Sequence, residues 1–491
     1  MTGGVGMGEL QALAPLLVVT GWAALLLLVS ALAGGRSLRL GPLALCGLLL
    51  ALAAVVWDWR LVGAGGQVLF GGLAVSDRFA LFLDALLLLA GSLTVLISGA
   101  YLDEHGFADD AYFSLLLLAI SGMMLLVHAT SLVMLLIGLE TMSLAIYALV
   151  AFWVGKATSA EAALKYFVMG AVASAFLVFG VALIYGVTGA TGYRALAEAA
   201  AQAAGQPLLL LGMVFVLGAL AFKVAIVPLH MWVPDAYEGA PTPVTGLMAS
   251  AVKAAGFGAL LRLLATSFAA DGLVYGSTGW LNPCWTLAAL TMSLGNLAAL
   301  RQPSIKRMLA YSSVAHAGYV LLGVIAAGLH PGQLAPVLFY LLSYAAATLG
   351  ALGVVAWIGR REAERLTFED WAGLARHHPV VALAMTVFML SLAGVPPTGG
   401  FFAKFYLFRA ALRDPQLVTL VVIAVLNSVV SVYYYLRPVV AMYFQDGVAQ
   451  PQPLARPGVY AMLGLALALV LLLGLLPGVP LDWALHAQLA R

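Results

Sequence analysis

Charge is what this sequence has least of. Of its 491 residues only 9% are Asp, Glu, Lys or Arg, whereas 63% are hydrophobic. Soluble domains carry about 25% charged residues, so the composition excludes an ordinary soluble protein and predicts a polytopic membrane protein. The net charge of +2 is spread over the loops without a basic patch, which argues against a nucleic-acid partner.

Cysteine and long polar stretches are also scarce. Cys46 and Cys284 are the only two cysteines, and they cannot supply the four thiolates of an iron–sulfur cluster. The glycine-rich stretch Gly186–Gly192 lacks the lysine of a phosphate-binding loop, so it predicts a turn. The longest loops, Thr188–Pro207 and Gly359–Pro379, are too short for a soluble domain. We therefore expect no cofactor in this chain and look for its chemistry among the helices.

Long apolar runs dominate the sequence. A membrane-spanning helix needs about 20 apolar residues, and on that rule the chain has about fourteen spans. The first run, Leu10–Ala33, has neither a basic region before it nor a clear cleavage site, which predicts a retained span. The segment Gln67–Ala74 is too short to span and predicts a small strand or hairpin on the outer surface.

Two interruptions suggest an internal repeat. Proline and glycine break the apolar pattern at Val227–Pro243 and at Ser391–Lys404. Discontinuous helices at matching places point to a site between inverted repeats. The predicted fold is an all-α polytopic membrane protein with two inverted five-helix repeats, each containing a discontinuous helix. Its expected parts are three N-terminal helices in 1–111, a first repeat in 112–265 (broken helix 208–243), a second repeat in 279–443 (broken helix 380–408) and a last helix in 458–491.

The distribution of basic residues predicts the orientation, because cytoplasmic loops are enriched in Lys and Arg. An outer N-terminus leaves the larger group inside: Arg36, Arg39, Lys156, Arg301, Lys306, Arg307, Arg360, Arg361, Arg365, Arg376, Arg437 and Arg456. The smaller group then lies outside: Arg60, Arg78, Arg194, Arg262, Arg409, Arg413 and Arg491. Both termini are therefore expected on the outer, periplasmic side.

Three ionisable residues lie deep in apolar runs: Glu140, Lys223 and Lys253. A lysine at the centre of a spanning helix costs about 2.5 to 3.5 kcal/mol and usually marks an ion path. A lysine can lose its proton when desolvated and keep it beside a carboxylate, so a Glu–Lys pair that forms and breaks is a switch of proton affinity. The alternative is a static ion pair that holds the bundle together.

Four further residues are candidates for the same path. Lys404 follows the second break and either relays protons or caps freed carbonyls, and Lys165 either joins the relay or reaches the inner interface. His230 and His316 can exchange protons near neutral pH, although each can equally be a hydrogen-bonded core histidine. Asp84, Arg262 and the loop charges are expected to be structural or interfacial.

Three long motifs resemble a known family. The segments FKVAIVPLHMWVPDAYEGAPTPVTGLMASAVK (Phe222–Lys253), NLAALRQPSIKRMLAYSSVAHAGYVLLGV (Asn296–Val324) and SLAGVPPTGGFFAKFYLF (Ser391–Phe408) resemble the antiporter-like membrane subunits of respiratory complex I. The wording YEGAPTPVT is similar to the subunit N branch, the counterpart of mitochondrial subunit 2. The resemblance covers nearly the whole chain.

The resemblance implies that protons cross through half-channels joined by a hydrated polar axis at mid-membrane. It matches Glu140 to the glutamate of helix five that pairs with the helix-seven lysine, here Lys223. It also matches Lys165 to the lysine of helix six, Lys253 to the central lysine of helix eight and Lys404 to the terminal lysine of helix twelve. The sister subunit M is expected to carry glutamate at that last position.

The expected partners follow from the same resemblance. FMN, iron–sulfur clusters and quinone would belong to other membrane and peripheral subunits, including other antiporter-like subunits, in a bacterial inner membrane. Two alternatives stay open at this point. One is a subunit of a multisubunit sodium/proton antiporter, and the other is a scaffold whose buried charges only fix helix packing.

Overall fold

The computed structural model describes residues 6–33, 39–63, 65–107, 111–359, 364–447, 454 and 456–490. Four arginines used to predict the orientation lie outside the described residues: Arg36, Arg360, Arg361 and Arg491. The described chain is helical except for loops and one small hairpin.

The N-terminal region combines helices with that hairpin. Its helices are α1 (Met7–Ala12), α2 (Ala14–Leu32), α3 (Gly41–Leu61) and α4 (Arg78–His105), and its strands are β1 (Gln67–Leu69) and β2 (Ala74–Ser76), joined by the 3-10 turn Phe70–Gly72. The strands pair antiparallel with Gln67 opposite Ser76. The predicted hairpin is therefore confirmed, and its second strand extends two residues beyond the predicted end.

The middle of the chain contains nine helices and one π-helical turn. They are α5 (Tyr112–His128), α6 (Leu132–Val150), α7 (Ala157–Thr188), α8 (Tyr193–Gln202), α9 (Pro207–Val224), α10 (Val233–Gly239), α11 (Thr242–Leu247), the π turn Met248–Val252, α12 (Lys253–Thr266) and α13 (Asp271–Val274). The segment from α11 to α12 runs as one continuous span, Thr242–Thr266.

The last part of the chain holds the remaining helices and three 3-10 turns. They are α14 (Leu281–Leu300), α15 (Ile305–Leu329), the turn Pro331–Gln333, α16 (Leu334–Ile358), the turn Glu369–Trp371, α17 (Leu374–His377), α18 (Pro379–Ala393), α19 (Gly399–Ala411), the turn Pro415–Leu417, α20 (Val418–Phe444), α21 (Pro457–Leu475) and α22 (Gly478–His486).

Many of these helices suit a membrane. Among the described residues, twelve helical segments are long and apolar enough to cross one, and α5 and α18 are shorter apolar helices. The predicted class of an all-helical polytopic membrane protein is confirmed. The count of about fourteen spans, the inverted repeats and the domain boundaries remain predictions.

The spans differ in how far they are enclosed by protein. The segment Thr242–Thr266 and α16 are 100% buried, and α4 and α15 are nearly so, whereas α2 and α7 are only 28% buried. A helix that is apolar all round and enclosed belongs to the core, while an apolar exposed surface fits lipid. The centre of the bundle is thus α4, α11–α12, α15 and α16.

The first predicted break starts slightly earlier than the sequence suggested. Helix α9 ends at Val224, and Ala225 adopts a left-handed backbone with φ of 65°. The chain resumes as α10 only at Val233. Pro234 and Pro243 each occupy the first turn of the helix that follows, where the missing N–H costs nothing.

The second break is shorter. Helix α18 ends at Ala393, Gly394 has a φ of 87°, and α19 begins at Gly399. A Cβ on Gly394 would lie 2.9 Å from Cδ of Lys404. Glycine is therefore required here both by its backbone and by the close approach of that lysine.

Candidate functional site

Lys223 lies in the last turn of α9, just before the first break, and is buried. Its Nζ donates to Ser143 Oγ on α6 at 2.8 Å and to Tyr166 OH on α7 at 3.1 Å. The Tyr166 ring stacks on that of Trp232, with centroids 4.2 Å apart. The break thus holds an ammonium group against two neutral hydroxyls.

Glu140 lies one turn before Ser143 on the same helix. It accepts a hydrogen bond from Ser174 Oγ on α7. Within the described part of the chain, no ion pair closer than 4 Å joins Glu140 to Lys223. The resemblance implied such a pair, but here Lys223 donates to Ser143 and Glu140 accepts from Ser174.

Lys253 is the first residue of α12 after the π turn, and it is buried. Its Nζ donates to the backbone oxygen of Ser313 at 2.5 Å and to Ser313 Oγ at 3.0 Å. Gly256, one turn further on, faces the aliphatic part of Lys223, because a Cβ there would lie 4.0 Å from Cγ of that lysine. Lys223 and Lys253 are therefore brought to neighbouring positions by the packing of α12 on α9.

Lys404 points back across the second break. Its Nζ donates to the carbonyl oxygen of Ala393, the last residue of α18, and to Ser428 Oγ on α20, both at 2.8 Å. The lysine thus caps a carbonyl freed by the break, as one of the two sequence alternatives required. Capping does not exclude proton exchange, because both acceptors are neutral.

His316 on α15 is hydrogen-bonded to two tyrosine hydroxyl groups. Its Nδ1 is 2.7 Å from Tyr340 OH and its Nε2 is 3.0 Å from Tyr435 OH. Between His316 and Lys404 lies a small cavity that is also lined by Ser343 and Tyr344. The Ser343 Oγ has no hydrogen-bond partner among the described residues, so it is an available ligand for a water molecule there.

Two candidates lie off this line. The Lys165 side chain is half exposed and binds Glu161 at 2.7 Å and Asp235 at 2.9 Å. Asp235 also binds Arg307, at 3.1 Å. His230 lies in the first break, and its Nδ1 has no hydrogen-bond partner in the described ranges. The packing brings together Lys223, Lys253, His316 and Lys404, whereas Lys165 lies apart from them among exposed carboxylates.

A buried ion pair was missed by the sequence reasoning. Lys306, which the orientation prediction assigned to a loop, is fully buried at the start of α15. Its Nζ donates to Glu364 Oε2 at 2.9 Å and to the carbonyl oxygen of Ala240 at 2.7 Å. Glu364 also accepts hydrogen bonds from Tyr101 OH, at 2.8 Å, and from the Thr242 hydroxyl. No local pattern marks Glu364, which lies in a polar stretch typical of an exposed loop.

The environment of Glu364 favours its ionised form. Burial raises the pKa of the carboxyl, but the Lys306 ammonium and the Thr242 hydroxyl outweigh this effect and hold the pKa below its usual value. The segment that carries Glu364 is thereby tied to α4, α11 and α15.

Other buried charges, for which a structural or interfacial role was expected, also form ion pairs. Arg262, assigned to the outer loops, is instead buried and forms a two-fold hydrogen-bonded pair with Asp77 at 2.7 and 2.8 Å. Burial raises the pKa of Asp77, yet the neighbouring guanidinium outweighs it and keeps the pKa below its usual value. Asp84 binds His128 at 2.8 Å. Within the described ranges, no group of three His, Cys, Asp or Glu side chains could hold a metal ion.

Comparisons with known proteins agree on one family. Residues 129–431 match the family described as NADH:quinone oxidoreductase/Mrp antiporter, TM. NADH-quinone oxidoreductase subunit N 1 of Sorangium cellulosum is 45% identical over 99% of both chains, and subunit N of Chloroflexus aggregans is 42% identical over 96% of this chain and 95% of its own.

Solved structures agree in fold. A chain of respiratory complex I from Thermus thermophilus superimposes with a TM-score of 0.79 at 35% identity, covering 96% of this chain and all of that one. A chain of the Mrp complex from Dietzia has a TM-score of 0.82 at 24% identity, over 97% of both chains, and so shares the fold. Sequence and fold together show that the chain belongs to the family of transmembrane subunits common to NADH:quinone oxidoreductases and Mrp antiporters.

Proposed function

We propose that this chain translocates protons as the subunit N of an NADH-quinone oxidoreductase, while partner subunits transfer electrons from NADH to quinone. Relatives of that name align with it from end to end. The observation that carries the proposal is a line of buried lysines, each held by neutral oxygen atoms. FMN, iron–sulfur clusters and quinone then belong to the peripheral and other membrane subunits.

The ligands of Lys223 suit proton exchange. Its ammonium group meets the hydroxyls of Ser143 and Tyr166, so no buried carboxylate fixes its charge. Glu140 lies one turn away. A small rearrangement that brings Glu140 to Lys223 favours the protonated amine, and separation favours release of the proton. Redox-driven movement of a neighbouring subunit would shift the equilibrium between the paired and the separated arrangement of Glu140 and Lys223.

The remaining steps run along α15. Lys253 binds Ser313 on that helix, and His316 lies one turn further along. The Tyr344 ring stacks near His316, with centroids 4.7 Å apart, and both line the cavity that reaches Lys404. Protons released at Lys223 pass to Lys253 and, through Ser313, His316 and one water, to Lys404.

The other two candidates take peripheral roles in this proposal. Lys165, half exposed among Glu161 and Asp235, exchanges protons with water at the edge of the bundle. His230 lies beside the first break and serves as a second acceptor near Lys253. We further propose an inner-membrane location in a bacterium with both termini on the outer side, as the distribution of Arg and Lys predicts.

The decisive experiment replaces Lys253 in the assembled complex. We expect Lys253→Ala to lower NADH-driven proton pumping by at least about tenfold, measured by quenching of a pH-sensitive dye in inverted membrane vesicles. Lys156→Ala is the matched control, because Lys156 lies over the Trp153 ring outside the spans. Native gels and oxidation of NADH by ferricyanide establish that both variants assemble.

Two outcomes contradict the proposal. Pumping at the wild-type rate in Lys253→Ala would identify the buried lysines as structural cations only. A proton flux that requires sodium and proceeds without any electron donor would identify a subunit of a sodium/proton antiporter.

A further inference from the structure

Another buried ionic site lies near those ends of α4, α11 and α15 that the orientation prediction assigns to the inner side. Glu364 and Lys306 are both enclosed, with 2% and 0% of their side chains exposed, and Nζ lies 2.9 Å from Oε2. Tyr101 on α4 and Thr242 at the start of α11 donate to the same carboxylate. None of these residues takes part in the relay described above.

We propose that Glu364 and Lys306 form the point at which this subunit takes up protons from the inner side and passes them to Lys253. The proposal rests on the proposed function, since an uptake point has meaning only if Lys253 carries protons. Two observations lead to it: the position of the site and the group that lies between it and Lys253.

The position of Lys306 links the site to the first break. Its Nζ also donates to the carbonyl oxygen of Ala240, which joins α10 to α11. Helix α11 leads through the π turn directly to Lys253. On α15, Ser313 follows Lys306 by seven residues, which places both on one face about 10 Å apart. Lys306 and Lys253 therefore bind opposite ends of the same helical face.

Tyr237 fills the interval between them. It lies one turn before Ala240 on α10, is buried, and its hydroxyl approaches that of Ser313. That hydroxyl has no hydrogen-bond partner within 3.5 Å among the residues described. The hydroxyl can both accept and donate a proton, so it is available to pass one towards Ser313.

The transfer balances as follows. The Lys306 ammonium gives one proton through Tyr237 and Ser313 to the neutral amine of Lys253. Glu364, which stays ionised, then draws one proton from inner-side water onto the Lys306 amine, and the ion pair is restored. One proton has moved from water to Lys253.

The test compares a double variant with a matched control in the complete complex, and Tyr237→Phe supplies a further measurement. Glu364→Gln alone leaves Lys306 as an unpaired buried charge, so it confounds packing with chemistry. The double variant Lys306→Gln/Glu364→Gln removes both charges but keeps polar groups of similar size. Glu369→Gln is the matched control, because Glu369 is an exposed carboxylate five residues along the same segment. Proton pumping and NADH-driven quinone reduction are measured for each in inverted vesicles.

We expect the double variant to assemble and to pump at least about tenfold more slowly, whereas Glu369→Gln pumps normally. Wild-type pumping in the double variant would overturn the proposal, since the pair would then only position α11. If the double variant fails to assemble, Tyr237→Phe, which removes only a hydroxyl, becomes the deciding variant. We expect it to slow pumping several-fold, and an unchanged rate would overturn the proposal.

The two proposals fail in different ways. If Lys253→Ala pumps normally, the relay itself is wrong, and the uptake point falls with it. If Lys253→Ala stops pumping while the double variant and Tyr237→Phe pump at the wild-type rate, the relay stands and only the uptake point is wrong.

Discussion

The two broken helices place a lysine on opposite sides of the break. In the first, Lys223 precedes the break and binds side-chain hydroxyls from α6 and α7, with Glu140 one turn away. In the second, Lys404 follows the break and binds the freed carbonyl of Ala393 together with Ser428. The first lysine can be influenced by a carboxylate, whereas the second is anchored to backbone. A lysine beside a helix break is thus open to a nearby carboxylate in the first case and held by a backbone carbonyl in the second.

Arginine tests whether both lysines exchange protons. We expect Lys223→Arg and Lys404→Arg each to lower NADH-driven pumping by at least about tenfold, because a guanidinium keeps its charge at any physiological pH and cannot release a proton. Pumping in vesicles and assembly on native gels are the measurements. If Lys404→Arg pumps normally while Lys223→Arg does not, Lys404 is only a cap and the relay ends before the second break.

The pair Asp77–Arg262 provides a static reference for both breaks. We expect Asp77→Asn to destabilise the protein by about 3 to 5 kcal/mol at neutral pH, because Arg262 is left buried without its counter-charge. The pKa of Asp77 is held below its usual value, so this stabilisation is complete above about pH 4 and is lost as the pH falls through the lower folded value.

Thermal unfolding in detergent checks the pH dependence. The difference in midpoint between the wild type and Asp77→Asn should stay constant from neutral pH down to about pH 5 and shrink below about pH 4. A difference that persists unchanged in acid would show that Asp77 acts through packing instead of charge.

The smallest expected effects concern the backbone of the two breaks. Gly394→Ala should destabilise by about 1 to 2 kcal/mol, because its φ is positive and its new Cβ would contact Lys404. Ala225→Gly should instead stabilise by up to about 1 kcal/mol, since alanine already occupies a left-handed conformation there. Melting temperatures of the two variants should therefore move in opposite directions, and a shift in the same direction would contradict this account.

Much of this arrangement could be predicted from the sequence. Lysines inside apolar runs and prolines between them mark Lys223, Lys253 and the first break, because both features are costly in a membrane unless they serve a purpose. The hydroxyl ligands could not be predicted, since a serine such as Ser143 in an apolar helix usually bonds its own backbone. Ser143 does so as well, to Leu139.

The buried ion pair of Glu364 and Lys306 could not be predicted from the sequence. Its partners Lys306, Thr242 and Tyr101 lie 58, 122 and 263 residues away in the chain. This polar stretch is buried only because distant parts of the chain pack on it, and the hydrophobic periodicity of the sequence does not indicate that packing. The expected ion pair between Glu140 and Lys223 is not formed, because Glu140 accepts a hydrogen bond from Ser174 and Lys223 donates to Ser143.

The acceptors of Lys253 impose an order on the making of this protein. Lys253 is synthesised before Ser313, whose two oxygen atoms receive its ammonium group. Until α15 has entered the membrane, that lysine lacks these acceptors, and its charge disfavours the insertion of α12 into lipid. Lys404 differs because one of its two acceptors, the carbonyl oxygen of Ala393, is synthesised before it, while Ser428 follows. The segment up to α12 therefore completes its folding only after α15 has been made, and a chain stalled between α12 and α15 should be held at the insertion machinery or degraded.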